Sequence, residues 1–141
     1  MIDIDPIPSN HPRAKSLAIR HLLTNGFNSG LVVSEGLIAH GRGEALDYLI
    51  GEKTSPFALD AIKAASSLLL LAEKPVISVN GNVAALCPKE IVELAYETSS
   101  SLEVNLFYRN KKREYLIAET LKKKWSKCCS WSRTKRIFKN T

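Results

Sequence analysis

The stretch VISVNGN at residues 76–82 decides the fold of this chain. Its β-branched beginning follows Pro75 and predicts a strand, whereas the Asn-Gly-Asn that ends it predicts a turn. Downstream, residues 88–99 predict a helix, residues 102–107 a second strand and residues 111–124 a second helix. This order, with short connections, is typical of parallel strands joined by right-handed crossovers. We therefore predict an α/β protein with a parallel sheet.

Polar residues follow both predicted strands. Asn80, Gly81 and Asn82 come after the first strand, and residues 108–110 come after the second. The carboxyl ends of parallel strands meet at one edge of a sheet, where such proteins place their ligands. Asn-Gly is also a common turn dipeptide, so the pattern is equally consistent with an ordinary turn.

The first half of the chain predicts helices. Residues 13–25 form an amphipathic pattern that Asn25-Gly26 should end, and residues 31–33 form a short extended run. Ser55 and Pro56 then begin a long predicted helix that reaches about Lys74 and is apolar on nearly all sides. We expect this helix to be buried.

Residues 36–51, GLIAHGRGEALDYLIG, form the stretch richest in candidate chemistry. His40, Arg42 and Glu44 lie among two glycines, which destabilise a helix by about 1 kcal/mol each relative to alanine. Bare backbone and a guanidinium favour a site for phosphate or carboxylate. The alternative is a helix kinked by glycine, in which Arg42 and Glu44 form a solvated ion pair. The spacing does not match the dinucleotide-binding fingerprint.

Charge is distributed unevenly along the 141 residues, whose net charge is +6. Residues 1–110 carry nine basic and twelve acidic residues, whereas residues 111–141 carry eleven basic and two acidic ones. A nucleic-acid-binding protein usually carries its basic surface on the folded domain, so nucleic acid is not the expected ligand. The longest apolar run, residues 68–72, is far below the ~20 residues of a membrane helix. The first ten residues carry no basic residue, unlike a secretory signal.

The cysteine pattern argues against a disulfide-stabilised protein and against a zinc-binding protein. The three cysteines, two of them adjacent, do not form a disulfide framework. Cys128 and Cys129 have no second pair to complete a zinc site, so no metal ligands are assigned. We expect a cytoplasmic protein that does not associate with membranes.

Several longer segments resemble the archaeal phosphopantothenate synthetases, also called 4-phosphopantoate–β-alanine ligases. The resemblance covers about residues 7–121 and lies in SNHPR (9–13), residues 36–52, LLLAE (69–73), PVISVNGNVAAL (75–86) and EVNLFYR (103–109). It implies a ligase of coenzyme A biosynthesis that uses ATP with Mg²⁺ and joins 4-phosphopantoate to β-alanine. The reaction would proceed through an acyl-adenylate and release AMP and diphosphate. It also implies a Rossmann-like fold and a homodimer.

The resemblance assigns roles to individual residues. Two nucleotide-binding arginines of the family correspond to Arg20 and Arg42. We expect four further residues to position substrate or backbone: His40, Glu44, Asn80 and Asn82. No catalytic acid or base is assigned.

The resemblance stops near residue 122. We therefore predict a family domain at residues 1–121, incomplete at its C-terminus, and a basic tail at 122–141. The loss of the resemblance suggests a frameshift or truncation. Tryptophan has the single codon TGG, so reading one base forward would begin a codon with GG and place glycines at Trp125 and Trp131. Two alternatives stay open. One is a non-catalytic relative that at most binds phosphorylated ligands, and the other is an RNA-binding module that uses the basic tail and its two tryptophans.

Overall fold

Two short strands, β1 (Val76–Val79) and β2 (Ser101–Val104), form the sheet of this protein. The computed structural model describes residue 8 and residues 10–128, without the side chains of 126–128. The strands are parallel, with Val76 opposite Ser101 and Val79 opposite Val104. The predicted parallel pairing is confirmed, and so is the α/β class. Since two strands do not define a longer strand order, the Rossmann-like arrangement stays a prediction.

Helices make up most of the described chain. They are α1 (Ala14–Asn28), α2 (Ser34–Ile50), α3 (Pro56–Leu71), α4 (Gly81–Leu86), α5 (Pro88–Glu97) and α6 (Lys111–Cys128). α5 and α6 pack against each other, α6 also contacts β2, and α4 lies between α1 and α6. The helical N-terminal portion predicted from the sequence is thus present.

The main core lies where α4, α5 and α6 meet the sheet. Its buried side chains come from both strands and all three helices: Val79, Ala84, Val92, Ala95, Leu102, Leu106, Ile117, Leu121 and Trp125. Trp125 is only 1% exposed and contacts Tyr96 edge to face, with 6.1 Å between ring centroids. The core therefore reaches into the last described turns of α6.

The helix α4 was predicted as a turn. The side-chain oxygen of Asn80 accepts a hydrogen bond from the Val83 backbone N–H at 3.0 Å, which caps the helix. Gly81 is buried, and a Cβ atom there would overlap the Leu31 carbonyl oxygen. Asn-Gly begins a short helix here because the cap and the close backbone approach require these two residue types.

The first half of the chain differs from one prediction and refines another. α1 continues through Gly26 to Asn28, since Gly26 is buried against Ala85 and Val32 instead of ending the helix. In the run at 31–33, predicted to be extended, Val33 has extended backbone, whereas the Leu31 and Val32 N–H groups donate to the Gly26 carbonyl at 2.8 and 3.1 Å. These bonds turn the chain sharply between α1 and α2.

The expected burial of the long apolar helix is also wrong. Ser55 does accept a bond from the Ala58 N–H at 3.3 Å and caps α3, but the helix ends at Leu71 and no residue of it is buried. Phe57 is 78% exposed and Leu71 82% exposed. No described element covers this helix. Within residues 10–128, no helix combines the length and the apolar character needed to cross a membrane.

The predicted boundary at residue 122 falls inside α6, which continues unbroken to Cys128. The boundary stays a prediction, and residues 129–141, which include Cys129 and Trp131, lie outside the described part. The RNA-binding alternative invokes Trp125 as a surface aromatic, but this side chain is packed in the core. Trp125 is therefore not exposed for stacking on a base.

Candidate functional site

A cleft of about 710 Å³ opens beyond the carboxyl ends of β1 and β2, at the edge predicted from the sequence. The two strands contribute Ser78 and the residues that follow them, and their register is continued by a 2.9 Å bond from the Asn105 N–H to the Val79 carbonyl. α2 forms the opposite wall, and the first turn of α6 closes one end. Its lining includes charged and amide side chains, namely Glu35, Arg42, Asn80, Asn82, Asn105 and Arg113.

One face of α2 points into this cleft. Glu35, Ala39 and Arg42 line it, at the spacing of three to four residues that places side chains on one helix face. Arg42 is exposed, and its guanidinium forms no hydrogen bond or ion pair with any described residue. An exposed, unengaged guanidinium in a cleft is suited to bidentate binding of a phosphate or carboxylate.

Asn82 holds α2 against α4. Its side-chain amide donates to the Gly36 carbonyl at 2.9 Å, and a Cβ atom on Gly36 would overlap the Asn82 side-chain oxygen. Since Asn80 caps α4, both asparagines use one side-chain atom within the protein. The bond from Asn82 ties α2, which carries Arg42, to α4, whereas the bond to Asn80 only caps α4. The predicted contact of the asparagines with substrate stays a prediction.

Glu44 lies in a separate cluster between α1 and α2. Its carboxylate accepts hydrogen bonds from Arg20, from Arg13 at 2.7 Å and from the Tyr48 hydroxyl at 3.0 Å. The Arg13 guanidinium also lies 5.1 Å from the centroid of the Tyr48 ring. The bond from Arg20 contributes most to lowering the pKa of Glu44 to about 2, with help from Arg13 and Tyr48. The Glu44 carboxylate in turn raises the pKa of Arg13.

The alternative in which Arg42 and Glu44 form an ion pair is wrong. Two residues apart on an α-helix, their side chains point in directions about 160° apart around the helix axis. Arg42 faces the cleft at the sheet edge, whereas Glu44 faces α1 and pairs with Arg13 and Arg20. α2 therefore presents two chemically different faces.

His40 and Glu44 line a second cleft, of about 620 Å³, together with Lys15 and Asp47. The six site residues predicted from the sequence thus divide into two groups. Arg42, Asn80 and Asn82 share the cleft at the sheet edge. His40, Glu44 and, through its bond to Glu44, Arg20 lie on the other side of α2.

The two interior glycines of α2 are not explained by crowding. A Cβ atom on Gly41 or Gly43 would find nothing within 4 Å among the described residues. The expectation that a neighbouring group requires bare backbone there is not met within this part of the chain.

Sequence reasoning missed Ser78, Asn105 and Arg113 as cleft residues. Arg113 lies in the first turn of α6, where Asn110 accepts hydrogen bonds from the Lys112 N–H at 3.0 Å and the Arg113 N–H at 3.3 Å. The signal was an asparagine in the segment between the second strand and the last helix, three residues before an arginine. That spacing is typical of a helix cap whose first turn faces the same edge.

The described side chains offer no metal site. Among them, no group of three or more histidine, cysteine, aspartate or glutamate residues could hold a metal ion. A divalent ion at this cleft would therefore rely on ligand oxygens, such as those of phosphate groups, for most of its coordination.

Comparisons with known proteins extend the sequence resemblance. A family model described as phosphopantothenate/pantothenate synthetase matches residues 57–140 and so continues across residue 122. Three curated proteins named 4-phosphopantoate–β-alanine ligase are similar to the chain. The one from Thermococcus onnurineus is 56% identical over 117 residues, which are 83% of this chain and 45% of that protein.

The other two relatives are comparably similar. The Methanosarcina mazei protein is 54% identical over 116 residues, 82% of this chain and 46% of its own length. The Methanospirillum hungatei protein is 53% identical over 116 residues, 82% of this chain and 48% of its own length. The chain therefore spans about half the length of the curated relatives it matches.

Proposed function

The chain belongs to the phosphopantothenate/pantothenate synthetase family, as its sequence motifs indicate, and on this premise we propose that it carries part of a cytoplasmic, homodimeric ligase. The proposed ligase uses ATP to join 4-phosphopantoate to β-alanine, a step of coenzyme A biosynthesis. The names of the relatives support the two organic substrates, and the cleft supports the use of phosphorylated ligands.

The proposed reaction has two steps. A carboxylate oxygen of 4-phosphopantoate attacks the α-phosphorus of ATP, and the bond to diphosphate breaks, leaving an acyl-adenylate. The amine of β-alanine then attacks the acyl carbon, loses a proton and displaces AMP as the amide forms. The carboxylate is already charged and nucleophilic, so the protein's contribution to the first step is positioning and charge neutralisation.

The observation that carries this proposal is the unengaged guanidinium of Arg42 in the cleft at the sheet edge. A fixed cation there would neutralise a triphosphate and the charge that develops on departing diphosphate. Mg²⁺ would arrive bound to the triphosphate, whose oxygens it prefers as ligands.

Arg20, the second arginine expected to bind nucleotide, does not line the cleft at the sheet edge. It is bonded to Glu44 on the other side of α2, but a guanidinium has five N–H donors, so several remain for a nucleotide. Glu44 and its neighbour His40 line that second cleft. We assign Glu44 the role of orienting Arg20, and His40 a role in positioning substrate.

The homodimer is supported by the uncovered apolar side chains of α3. Phe57, Ile62 and Leu71 are exposed on this helix, and Leu49 at the end of α2 is 84% exposed. Contiguous exposed apolar surface of this kind marks interaction sites. Sedimentation equilibrium should give a dimer mass for the wild type, and a monomer mass would contradict the dimer.

The decisive experiment measures AMP formed from ATP by the 141-residue protein. AMP should appear only when ATP, 4-phosphopantoate and β-alanine are all present, with Arg42→Ala as a matched inactive variant. AMP formation that is indifferent to β-alanine would contradict the ligase assignment.

A second candidate is a non-catalytic relative that binds phosphorylated ligands. It requires only the cleft and the unengaged guanidinium of Arg42, and no chemical step after binding. This candidate predicts saturable binding of ATP or 4-phosphopantoate, abolished by Arg42→Ala, without any AMP release. AMP release that needs all three substrates would exclude it.

A further inference from the structure

Among the residues that the structure describes, Arg113 is the one residue of the cleft with a buried side-chain nitrogen that has no hydrogen-bond partner. Its Nε atom is inaccessible to solvent and has no hydrogen-bond partner. Its guanidinium forms no ion pair with a described residue either. An inaccessible cationic donor without a partner is unfavourable in an isolated protein, because its lost hydration is not replaced. Arg113 as a whole is half-buried and lines the cleft, so an anion would reach the remaining N–H groups of its guanidinium while Nε stays covered by protein.

The charges around Arg113 favour such an anion. The cleft is lined by two cations, Arg42 and Arg113, and by one carboxylate, Glu35, whose side chain accepts a bond from the Ser34 hydroxyl at 3.1 Å. Glu114, next to Arg113 in the chain, is engaged by Arg109 at 2.7 Å. No described carboxylate thus neutralises either cleft arginine.

The two arginines come from different elements. Arg42 lies on α2, and Arg113 lies in the first turn of α6, where Asn110 fixes the backbone. Two guanidiniums that converge from separate elements can each donate a pair of hydrogen bonds to one phosphoryl group. A single carboxylate ligand would have only two oxygens for these donors.

We propose that Arg113 is a second phosphate-binding residue of this cleft and that, with Arg42, it binds the phosphoryl group of a small-molecule ligand. This inference rests on the proposed function, which supplies two sources of that group, the triphosphate of ATP and the phosphomonoester of 4-phosphopantoate. The shared chemistry is a dianionic phosphoryl group held by two guanidiniums.

The test compares affinities by isothermal titration of the 141-residue protein with ATP, 4-phosphopantoate and unphosphorylated pantoate. Arg113→Gln should weaken binding of one phosphorylated ligand roughly tenfold to a hundredfold, the usual cost of losing a charge-assisted hydrogen bond. Binding of pantoate should not change. The phosphorylated ligand that loses more affinity identifies the source of the phosphoryl group.

Two further variants control the experiment. Lys112→Gln removes the same charge from the same turn of α6, but Lys112 is exposed and outside the cleft, so it should leave all three affinities unchanged. Arg113→Lys keeps the positive charge but lacks the paired N–H donors of a guanidinium. Affinity for the phosphorylated ligand should therefore fall several-fold, and affinity for pantoate should not change. Arg113→Lys decides the question if Arg113→Gln does not fold.

Three outcomes would overturn the inference. Arg113→Gln with wild-type affinity for both phosphorylated ligands would show that Arg113 does not bind phosphate. An equal loss of affinity for pantoate would show a purely structural role. Wild-type protein that binds neither phosphorylated ligand would overturn the proposed function as well, whereas the first two outcomes leave that function intact.

Discussion

At the scale of single residues, Glu44 joins α1 to α2. It engages Arg13, Arg20 and Tyr48, and its pKa is about 2 instead of its ordinary value near 4.5. Because the folded state favours the charged form, we predict that Glu44→Gln lowers the free energy of unfolding at pH 7. Urea unfolding of both proteins measures this loss.

The pH dependence of that difference follows from the direction of the shift. A lowered pKa stabilises the folded state above the ordinary value, and this stabilisation is lost as pH falls from about 4.5 toward 2. The gap between wild type and Glu44→Gln should therefore narrow over that interval. Asp60→Asn is the control, since Asp60 pairs with Lys63 on the exposed surface of α3. A gap that widens with acid would contradict this account.

Arg42 is predicted to act in binding and not in stability. Its guanidinium is exposed and touches no described partner, so Arg42→Ala should change the free energy of unfolding by less than about 0.5 kcal/mol. Affinity for ATP should fall roughly tenfold or more. Calorimetry measures the affinity, and Lys63→Ala on α3 provides the control. Unchanged ATP affinity in Arg42→Ala would remove Arg42 from the site.

Some of the site could be predicted from residue order, and some could not. Arg42, Asn80 and Asn82 share one cleft because strand ends and helix faces follow from local pattern. The partners of Glu44 come from α1, and which helix faces meet depends on tertiary packing. Arg113 was missed because its direction depends on the cap formed by Asn110.

At the scale of elements, replacing Gly81 or Gly41 by alanine should change the stability of the protein in opposite directions. A Cβ on Gly81 would overlap the Leu31 carbonyl, so Gly81→Ala should destabilise the protein by roughly 1–3 kcal/mol. Gly41 is in mid-helix with open space around it, so Gly41→Ala should stabilise by about 0.5–1 kcal/mol. Thermal or urea unfolding measures both changes. A Gly81→Ala variant as stable as the wild type, or more stable, would refute the close approach between α4 and the turn at Leu31.

Trp125 completes the core from the far end of α6. Its side chain is 1% exposed against Tyr96, so Trp125→Ala should lower the free energy of unfolding by about 3–5 kcal/mol. Tyr115→Ala is the matched control on the same helix, because Tyr115 is largely exposed. It should cost less than about 0.5 kcal/mol. Equal effects of the two changes would place Trp125 outside the core.

The elements that were predicted correctly share a local cause. β1, α5 and α6 carry strong patterns bounded by proline or asparagine, and their type follows from those residues. α4 was missed because the dipeptide Asn80-Gly81 can form a turn or begin a helix. The contact of Gly81 with the backbone at Leu31 favours the helix. α1 passes its predicted end for the same kind of reason, since Gly26 packs against Ala85.

At the scale of the whole molecule, the most informative error concerns α3. Its apolar residues predicted burial, yet none is buried within the described chain. Sequence pattern shows that a surface is apolar, but it does not show what covers that surface. In the proposed homodimer, a second copy of the chain would cover this surface.

The central claim of the account is that the cleft at the carboxyl edge of the sheet, which carries Arg42 and Arg113, binds phosphoryl groups. The most direct test is titration of ¹⁵N-labelled protein with 4-phosphopantoate and with ATP, followed by amide chemical shifts. Shifts should concentrate at residues 78–82 and 105–113 and on the face of α2 that carries Arg42. Shifts confined to the second cleft, around Lys15 and Asp47, would contradict the account.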